Sequence, residues 1–559
     1  MKKMFSYIQK MFSSFSPKEI ILFLTAAIFF IASSVLLTVA LVDEYTIQSP
    51  GTGGTLTEGI VGQISMINPI LAQDNTPDED ITSLIFANIP TIAESIKHSP
   101  DFKTWNVRIR EGAQWHNETA ITSDDIIFTL QMIKNPQTSS PLFDVWKNIS
   151  VQRISEREVE FQLLDSYALF ENILTELRPI PKQLFADIAP ANIKLSVYNL
   201  RPLGSGPYAY KELKKRDDGF ISSYTLTVAH TYTYTESQPR IGTLTFLFFE
   251  NDTQRIDAFN SGAISSLATF DPRVIKNISI KHTSYDISTR RYYALFFNTT
   301  AYGTRISEAL RENLIHSIDS QAIITDVFDS HADTIQGPLS VIIPQQEQTP
   351  PFTIDIEQAL QASGWEKRDN TWGRMNGDTW EEFSPTITTP DTPLLTRTAH
   401  LIASQWKQYG ITATVAIVDP QILSEDILPS RNYEILLFGN ILLKNPDPSS
   451  FWHSNEIFHP GQNFSLLQDN TLDTLLARLK RAYPDTQEYR DLLEAIHTEI
   501  QAHAPAAFLL SPHYLYITSP HIPAPLFPER ISFTHDRFEH ITSWYVKTTR
   551  TFSSSQDLR

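Results

Sequence analysis

The chain is 559 residues long with 41% hydrophobic and 19% charged residues, a length and composition that predict a folded body built around several cores. Its formal net charge of −18 at pH 7 argues against nucleic acid as a partner, because binding to a phosphate backbone needs a concentrated basic surface. The chain contains no cysteine, which excludes disulfides, thiolate metal sites, a cysteine nucleophile and the lipidated cysteine of bacterial lipoproteins.

The first element is an apolar segment at residues 20–42, IILFLTAAIFFIASSVLLTVALV. Its length matches the ~20 residues that cross a hydrocarbon core, so it predicts one transmembrane signal anchor in the cell membrane. Four lysines precede it and two acidic residues follow it, which predicts a cytoplasmic segment at 1–19 and an extracytoplasmic body. The alternative is a cleaved signal peptide, whose apolar region is usually ~7–15 residues long. The polar residues 43–52 predict a linker between the anchor and the body.

Strand and helix patterns alternate through the body and predict a mixed α/β fold. Thr122 and Asp125 form a T-x-x-D capping box before a helical pattern that Asn135-Pro136 ends. The strand patterns are GGTLTEGIVG at 53–62, WNVRIR at 105–110, REVEFQLL at 157–164, YTLTVAH at 224–230 and GTLTFLFFE at 242–250. The further helical patterns are TQRIDAFNSG at 253–262, SEALRENLIHSIDSQAIITDVF at 307–328, LTRTAHLIASQWKQYG at 395–410 and TLDTLLARLKRAY at 471–483.

The motifs that could carry chemistry are weak. His116 and Glu118 form an H-x-E pair, but a metal site needs three or four converging ligands, so we predict a polar turn there. The glycines of GSGPY, Gly204 to Tyr208, lack the lysine of a phosphate loop and predict a tight turn instead. No G-x-S-x-G elbow occurs in the sequence. These observations predict that the protein is not an enzyme and needs no metal and no cofactor.

Several stretches, in order along the chain, resemble one known family. They are the long run AESIKHSPDFKTWNVRIREGAQWHNETAITSDDIIFTLQMI at 93–133, PLGSGPYAYKEL at 202–213, YYALFFNTT at 292–300 and NPDPSSFWHS at 445–454. Together they resemble the family 5 extracellular solute-binding proteins, which include the dipeptide- and oligopeptide-binding components of ABC importers. The resemblance extends from about residue 53 to about residue 517.

The resemblance implies two lobes joined by crossing strands, the fold of periplasmic binding proteins, with an extra inserted domain. The expected divisions are lobe I at 53–65, 196–286 and 512–548, the inserted domain at 66–195, lobe II at 287–511 and a disordered tail at 549–559. It also implies a monomer that captures peptides or similar small solutes between the lobes for an ABC permease and its ATPase. The alternative is an anchored ligand sensor or interaction protein with the same fold and no transport role.

The resemblance also places ligand-binding residues near the cleft. They are Glu58, Gly59, Tyr292, Tyr293, Gly439, Asn440, Lys444, Asp447 and Trp452. In dipeptide and oligopeptide binders an aspartate just before the N-P-D-P turn receives the α-amine of the peptide, and that position falls on or near Lys444. Because a cation repels an ammonium group, Lys444 either selects a ligand with an anionic or neutral group at that end or is a solvated loop lysine. Asp447 is the other candidate for the amine.

Overall fold

The computed structural model describes residues 15–72, 76–235, 238–300, 306–343 and 354–552. The chain forms two compact units, one made of residues 1–54 with 545–559 and the other of residues 55–544. Most of the expected cytoplasmic segment lies outside the described residues, and so does the end of the expected tail.

The smaller unit joins an apolar helix to a pair of strands from opposite ends of the chain. Helix α1 (Pro17–Tyr45) has no buried residue, and its most apolar stretch has a mean hydropathy of 2.7, so it is long and apolar enough to cross a membrane. Strand β1 (Thr46–Pro50) pairs antiparallel with β23 (Thr548–Phe552). Arg550 Nη2 and Asp43 Oδ1 form an ion pair at 2.5 Å.

This pairing differs from the expected linker at 43–52 and the expected disordered tail at 549–559. The helix continues to Tyr45, and the residues after it form a strand because a second Thr-rich segment satisfies its backbone groups. The composition of either segment alone gives no sign of a partner about 500 residues away in sequence.

The larger unit contains all the remaining elements among the described residues. Its strands are β2 (Thr55–Val61), β3 (Ala93–His98), β4 (Thr104–Ile109), β5 (Ser150–Ser155), β6 (Glu158–Gln162), β7 (Tyr208–Lys215), β8 (Ile221–Val228), β9 (Thr243–Phe249), β10 (Ser266–Thr269), β11 (Thr283–Thr289), β12 (Arg291–Phe297), β13 (Ala332–Thr334), β14 (Glu366–Arg368), β15 (Thr371–Asn376), β16 (Thr379–Glu382), β17 (Thr386–Pro390), β18 (Thr414–Val418), β19 (Ile435–Ile441), β20 (Ala506–Pro512), β21 (Tyr514–Thr518) and β22 (Arg530–Ile531). Its helices are α2 (Thr76–Ile85), α3 (Ile89–Ile92), α4 (Ser123–Lys134), α5 (Phe143–Trp146), α6 (Phe170–Glu176), α7 (Lys182–Phe185), α8 (Asp252–Asn260), α9 (Arg273–Lys276), α10 (Glu308–His316), α11 (Ser320–Phe328), α12 (Ile356–Ala362), α13 (Pro393–Lys407), α14 (Pro420–Ile422), α15 (Leu428–Ser430), α16 (Ser449–Trp452), α17 (Asn470–Leu479) and α18 (Gln487–Ala502).

The predicted elements are present because their signals are local. The predicted strand patterns become β2, β4, β6, β8 and β9, and the capping box of Thr122 and Asp125 starts α4, which ends before Asn135. The pattern at 307–328 forms two helices, α10 and α11. They separate because the carboxylate of Asp319 accepts a hydrogen bond from the amide of Ala322 and starts a second helix.

Two large mixed sheets divide the larger unit. One has eight strands in the order β22-β11-β21-β10-β2-β9-β8-β7, and the other has six in the order β13-β20-β12-β19-β17-β18. A four-stranded sheet, β3-β4-β6-β5, lies between β2 and β7 in sequence, and β14-β15-β16 form a three-stranded sheet. The chain passes twice between the large sheets, from β11 to β12 through Arg290 and from β20 to β21 through His513. These two crossings confirm the mixed α/β, two-lobed fold, whereas the lobe boundaries stay a prediction.

Strand β12 of the six-stranded sheet is buried on both faces, which explains its almost continuous apolar run. Leu295 and Phe297 pack into a core with α10 to α13, and the alternate residues Ala294 and Phe296 pack into a second core with α16 to α18. A strand that is covered on both faces has no polar face. Its edges and ends are therefore the places where polar groups can meet a ligand.

Candidate ligand-binding site

A cavity of about 810 Å³ opens within the larger unit, where segments from both large sheets and from the region of the four-stranded sheet meet. Its walls come mainly from residues 83–91 around the α2–α3 turn, 171–178 on and after α6, 443–445 after β19, and 528–542 near the C-terminus. Arg290, at the first strand crossing, also lines it. The volume lies in the range of known small-ligand sites.

The walls of the cavity carry both signs of charge. The acidic residues are Glu171, Glu176, Glu529, Asp536 and Glu539, and the basic residues are Arg178, Arg290, Lys444 and Arg530. His535 and His540 add two imidazoles. Such a lining offers acceptors for an ammonium group and donors for a carboxylate within one site.

Two of the arginines are fixed by backbone carbonyls. Arg178 donates from Nη1 to the carbonyl oxygen of Phe86 at 2.7 Å, and Arg290 donates from Nη1 to that of Arg530 at 2.7 Å. Burial lowers the pKa of both guanidinium groups, and nearby Asp536 opposes the shift in each. The backbone contact fixes the orientation of each guanidinium group, whose other N–H groups remain as donors. A carboxylate bound there would offset the solvation that the guanidinium group loses by burial.

Lys444 lies on a short loop whose backbone is held from both sides. The amide of Leu442 donates to the carbonyl oxygen of Arg290 at 2.7 Å, and the side-chain amide of Asn172 donates to that of Asn445 at 2.5 Å. The Lys444 side chain is exposed and lines the cavity, and its ammonium group has no hydrogen bond or ion pair to any described residue. The backbone position of Lys444 is thus fixed, and its ammonium group is available to a ligand.

Asp447 is already engaged by the turn that contains it. Its Oδ1 accepts a hydrogen bond from the amide of Ser449 at 3.1 Å. Burial, together with the charge and hydrogen bond of Asp447, raises the pKa of Tyr167 well above the usual tyrosine value. Asp447 does not belong to the described lining of the cavity. Its expected role as acceptor of a peptide amine stays a prediction without geometric support.

Glu58 lies in the protein core, inside an ion cluster. Its side chain is 3% exposed, its Oε1 accepts from Arg537 Nη2 at 2.6 Å, and its Oε2 accepts from the Tyr516 hydroxyl at 2.8 Å. Asp80 accepts from the same Arg537 nitrogen at 2.8 Å. Burial alone would lower the pKa of Arg537, but Asp80 and Glu58 together raise it well above the usual value. This cluster ties the C-terminal wall of the cavity to β2 and α2.

The other predicted residues make packing contacts and do not occur in the described lining of the cavity. Asn440 donates to the Tyr292 hydroxyl at 3.1 Å, and both side chains are buried. The α-carbons of Gly59 and Gly439 face close neighbours on adjacent elements, with Tyr293 beside Gly439, and Trp452 is 1% exposed in the second core. Of the nine predicted site residues, Lys444 is the one that occurs in the described lining of the cavity. Direct ligand contact by the others stays a prediction.

Sequence reasoning assigned no binding role to residues 528–542, which supply a large part of the wall. This segment has little regular structure but contains charged and aromatic residues in close succession, PERISFTHDRFEHIT from Pro528 to Thr542. That combination, near the end of an otherwise well-patterned chain, is the signal that could have identified it. The walls from α2, α3 and α6 carry no comparable signal.

The H-x-E pair is a structural turn, as the sequence suggested. His116 Nε2 lies 3.0 Å from the carbonyl oxygen of Gly206, and the amide of Gly204 donates to Nδ1 at 3.3 Å. The first contact requires a proton on Nε2 and the second requires a bare Nδ1, so the imidazole is neutral. Burial lowers its pKa to about 4, with the Gly206 contact opposing. Both ring nitrogens of His116 therefore contact backbone groups of the GSGPY turn, which the side chain stabilises.

Comparisons with known proteins give one consistent result. The family model for bacterial extracellular solute-binding proteins, family 5 middle, matches residues 88–459. The oligopeptide-binding protein AppA of Bacillus subtilis is 23% identical over 487 residues, which cover 83% of this chain and 87% of AppA. The structure of that AppA in complex with a nonapeptide superposes with a TM-score of 0.69 at 21% identity, covering 89% of this chain and 100% of AppA. NikZ of Campylobacter jejuni, solved with Ni(L-His), gives a TM-score of 0.69 at 17% identity, covering 88% and 99% of the two chains.

Proposed function

Because the chain belongs to the bacterial extracellular solute-binding proteins of family 5, we propose that it captures peptides in its cavity and delivers them to an ABC permease and its ATPase. The observation that carries the proposal is the cavity of about 810 Å³ with charges of both signs on its walls. A peptide with free termini carries an ammonium group and a carboxylate, and such a cavity offers a partner to each. The relatives are solute-binding proteins, and the chain is not an enzyme.

The names of the relatives support a peptide more than another solute. AppA of Bacillus subtilis is named as an oligopeptide-binding protein and was solved with a nonapeptide. NikZ, solved with a nickel–histidine complex, has the same fold with a different ligand, so the fold alone does not select the solute. For this chain the mixed charges of the cavity favour a zwitterionic, peptide-like ligand over an apolar one.

Within this proposal Lys444 binds an anionic group of the ligand. Its ammonium group lines the cavity and has no partner among the described residues, and the loop that carries it is anchored at Leu442 and Asn445. A hydrogen bond between charged groups contributes roughly 1.5–3 kcal/mol, so Lys444 would favour a ligand carboxylate by about ten- to 150-fold. A C-terminal carboxylate and an acidic side chain both satisfy this requirement.

The proposal also keeps α1 as an uncleaved anchor with the larger unit outside the cytoplasmic membrane. Support comes from its 29 residues, its mean hydropathy of 2.7 and its lack of buried residues. The intact mass of the protein purified from its membrane distinguishes an uncleaved anchor from a cleaved signal peptide. Removal of the residues up to the end of α1 would lower this mass by several kilodaltons.

The experiment is native mass spectrometry of the full-length chain in detergent, followed by denaturation and identification of released molecules. A mixture of short peptides is expected, and peptides added at one hundred times Kd should stabilise the protein by about 2.7 kcal/mol. A protein that releases no peptide and is stabilised by none contradicts the proposal. If peptides bind but cells lacking the chain import them normally, the chain is a sensor rather than a transport component.

Lys444→Asp tests the proposed specificity against Lys281→Asp, a matched change at an exposed lysine away from the cavity. Affinity for peptides with a free carboxylate should fall by at least about tenfold in the first variant and stay unchanged in the second. Peptides with amidated C-termini and no acidic side chains should bind both variants as they bind the parent. Equal affinities of both variants for the carboxylate peptides would show that Lys444 is a solvated loop lysine.

A further inference from the structure

A seam of contacts joins the region of the four-stranded sheet to the helical hairpin of α17 and α18. Along the chain the four-stranded sheet lies between β2 and β7 of the eight-stranded sheet, whereas the hairpin packs against the six-stranded sheet in the second core. One side of the seam consists of residues 98–102 and 167–172, and the other consists of residues 443–447 and 480–483. Residues of both sides also line the cavity, so the seam forms part of its wall.

Tyr483, in the connection between α17 and α18, is the centre of the aromatic part of the seam. Its ring stacks on that of Phe102, with the ring centroids 5.9 Å apart and an angle of 11° between the planes, and the ring of His98 lies 5.2 Å away. Its hydroxyl donates to Glu171 Oε1 at 3.3 Å. Burial, together with the charge and hydrogen bond of Glu171, raises the pKa of Tyr483, so the hydroxyl keeps the proton that it donates.

Leu169, immediately before α6, extends the seam into the second core. It is 1% exposed and packs there with residues of α17 and α18, and Tyr167 packs against the same core as a partly buried residue. The amide of Ala168 donates to the carbonyl oxygen of Lys480 at 2.7 Å. Separation of the two sides would expose little apolar surface beyond one leucine and one ring pair, and water would replace the lost hydrogen bonds. The seam is therefore much weaker than the cores that it joins.

The seam also holds the loop that carries Lys444. The side-chain amide of Asn172 donates to the carbonyl oxygen of Asn445 at 2.5 Å, and the hydroxyl of Tyr167 donates to the carboxylate of Asp447. Both donors come from the region of the four-stranded sheet, while the loop follows β19 of the six-stranded sheet. Contacts across the seam therefore fix the position from which Lys444 faces the cavity.

We propose that this seam is a latch, whose contacts hold the two sides of the cavity together around a bound solute and break when the solute leaves. The inference rests on the proposed capture function and adds how release is controlled. Arg290 and His513 are the single residues at the two crossings between the large sheets, so a change of their backbone angles can separate the two sides. Because the latch contacts join groups of the chain itself, they favour the closed arrangement equally for every solute, and the solute adds its own differential affinity.

The test is a distance measurement between two spin labels across the seam, made on the full-length chain in detergent. Asp165→Cys and Arg481→Cys replace exposed residues beside the seam, and they are the only attachment sites because the chain contains no cysteine. Electron–electron double resonance gives the distribution of label distances without peptide and with a casein hydrolysate as the peptide probe. In this labelled background Tyr483→Ala removes the stacked ring from one side, and Phe102→Ala removes it from the other. Phe458→Ala, at an exposed ring outside the described lining of the cavity, is the matched control.

Both latch variants should lower the ratio of short to long label distances about two- to tenfold in at least one of the two samples, and Phe458→Ala should leave it unchanged. Release of preloaded peptides after dilution, followed by native mass spectrometry, should be faster by a similar factor in Tyr483→Ala. The latch is overturned if both variants give the parent distribution in both samples, because the seam is then a rigid contact, or if the control changes it as much.

The same measurements separate failure of the latch from failure of the proposed function. A chain that binds no peptide contradicts peptide capture, and the distances without peptide still decide whether the seam opens. A chain that binds peptides with the parent distribution and the parent release rate in both latch variants contradicts the latch and leaves peptide capture in place.

Discussion

Replacing Arg537 by Met should destabilise the larger unit strongly. The guanidinium is 1% exposed and its Nη2 lies 2.6 Å from Glu58 and 2.8 Å from Asp80, with both carboxylates almost fully buried. Methionine preserves most of the side-chain volume but leaves two buried carboxylates without their cation. Removing one partner of a buried ion pair costs about 3–5 kcal/mol, and two orphaned charges place this site at the upper end.

The expected change in melting temperature follows from the size of the unit. Unfolding entropy near 60 °C is about 2.1 cal/mol/K per residue, which amounts to roughly 1 kcal/mol/K for the about 490 residues between Thr55 and Trp544. A loss of about 3–5 kcal/mol therefore lowers the midpoint by about 3–5 °C. Differential scanning calorimetry of the Arg537→Met variant beside the parent measures this shift directly.

The same cluster supplies its own control. Combining Arg537→Met with Glu58→Gln and Asp80→Asn removes the orphaned charges, and the two introduced amides can still accept hydrogen bonds from Tyr516 and Thr534. The triple variant should regain a large part of the lost stability, because the penalty comes from unpaired buried charge rather than from lost packing. If the triple variant melts below the single variant, or the single variant melts with the parent, the charge argument is wrong.

Two further predictions concern the strand crossing and the GSGPY turn. Hydrogen bonds from His513 to Asp286 and Asp333 raise its pKa to about 9, so its stabilising contribution is complete below about pH 6.5 and is lost as the pH rises through about 9. The parent should therefore lose about 1–2 kcal/mol of stability, after allowance for solvent screening, relative to His513→Gln between pH 6 and pH 10 in a thermal-melting series, and parallel pH profiles would refute this. Gly204→Ala should cost about 1–3 kcal/mol or more in chemical denaturation, because a Cβ there would overlap the backbone carbonyl of Ile85, and an unchanged midpoint would show that the turn can move.

The elements that the sequence predicted share one property, which is that their signals lie within a few residues. The capping box of Thr122 and Asp125 and the alternation of β9 need no distant partner to be recognised. By contrast, β1 forms a strand only because β23 reaches it from the other end of the chain. Single-sequence patterns carry no information about such a pairing.

The candidate site was harder to predict because its geometry depends on distant contacts. The resemblance located Glu58 in the correct strand, but its partner Arg537 is 479 residues away and turns the carboxylate into part of the core. Lys444 was located by a departure from the family pattern, and the cavity does include it. A strand residue can face either side of its sheet, and the pairings that decide which side are distant in sequence.

One of the two strand crossings lies in the wall of the cavity. Arg290 is the single residue between β11 and β12, and it also lines the cavity and donates to the carbonyl oxygen of Arg530 in the C-terminal wall. Its own carbonyl oxygen accepts from Leu442, next to the loop that carries Lys444. A ligand anion bound by Arg290 and Lys444 would therefore contact a crossing point and the loop it holds. Within the proposed function, contacts at the crossing are where a bound peptide would favour one arrangement of the lobes over another, because a ligand shifts a conformational equilibrium only by its differential affinity for the two states.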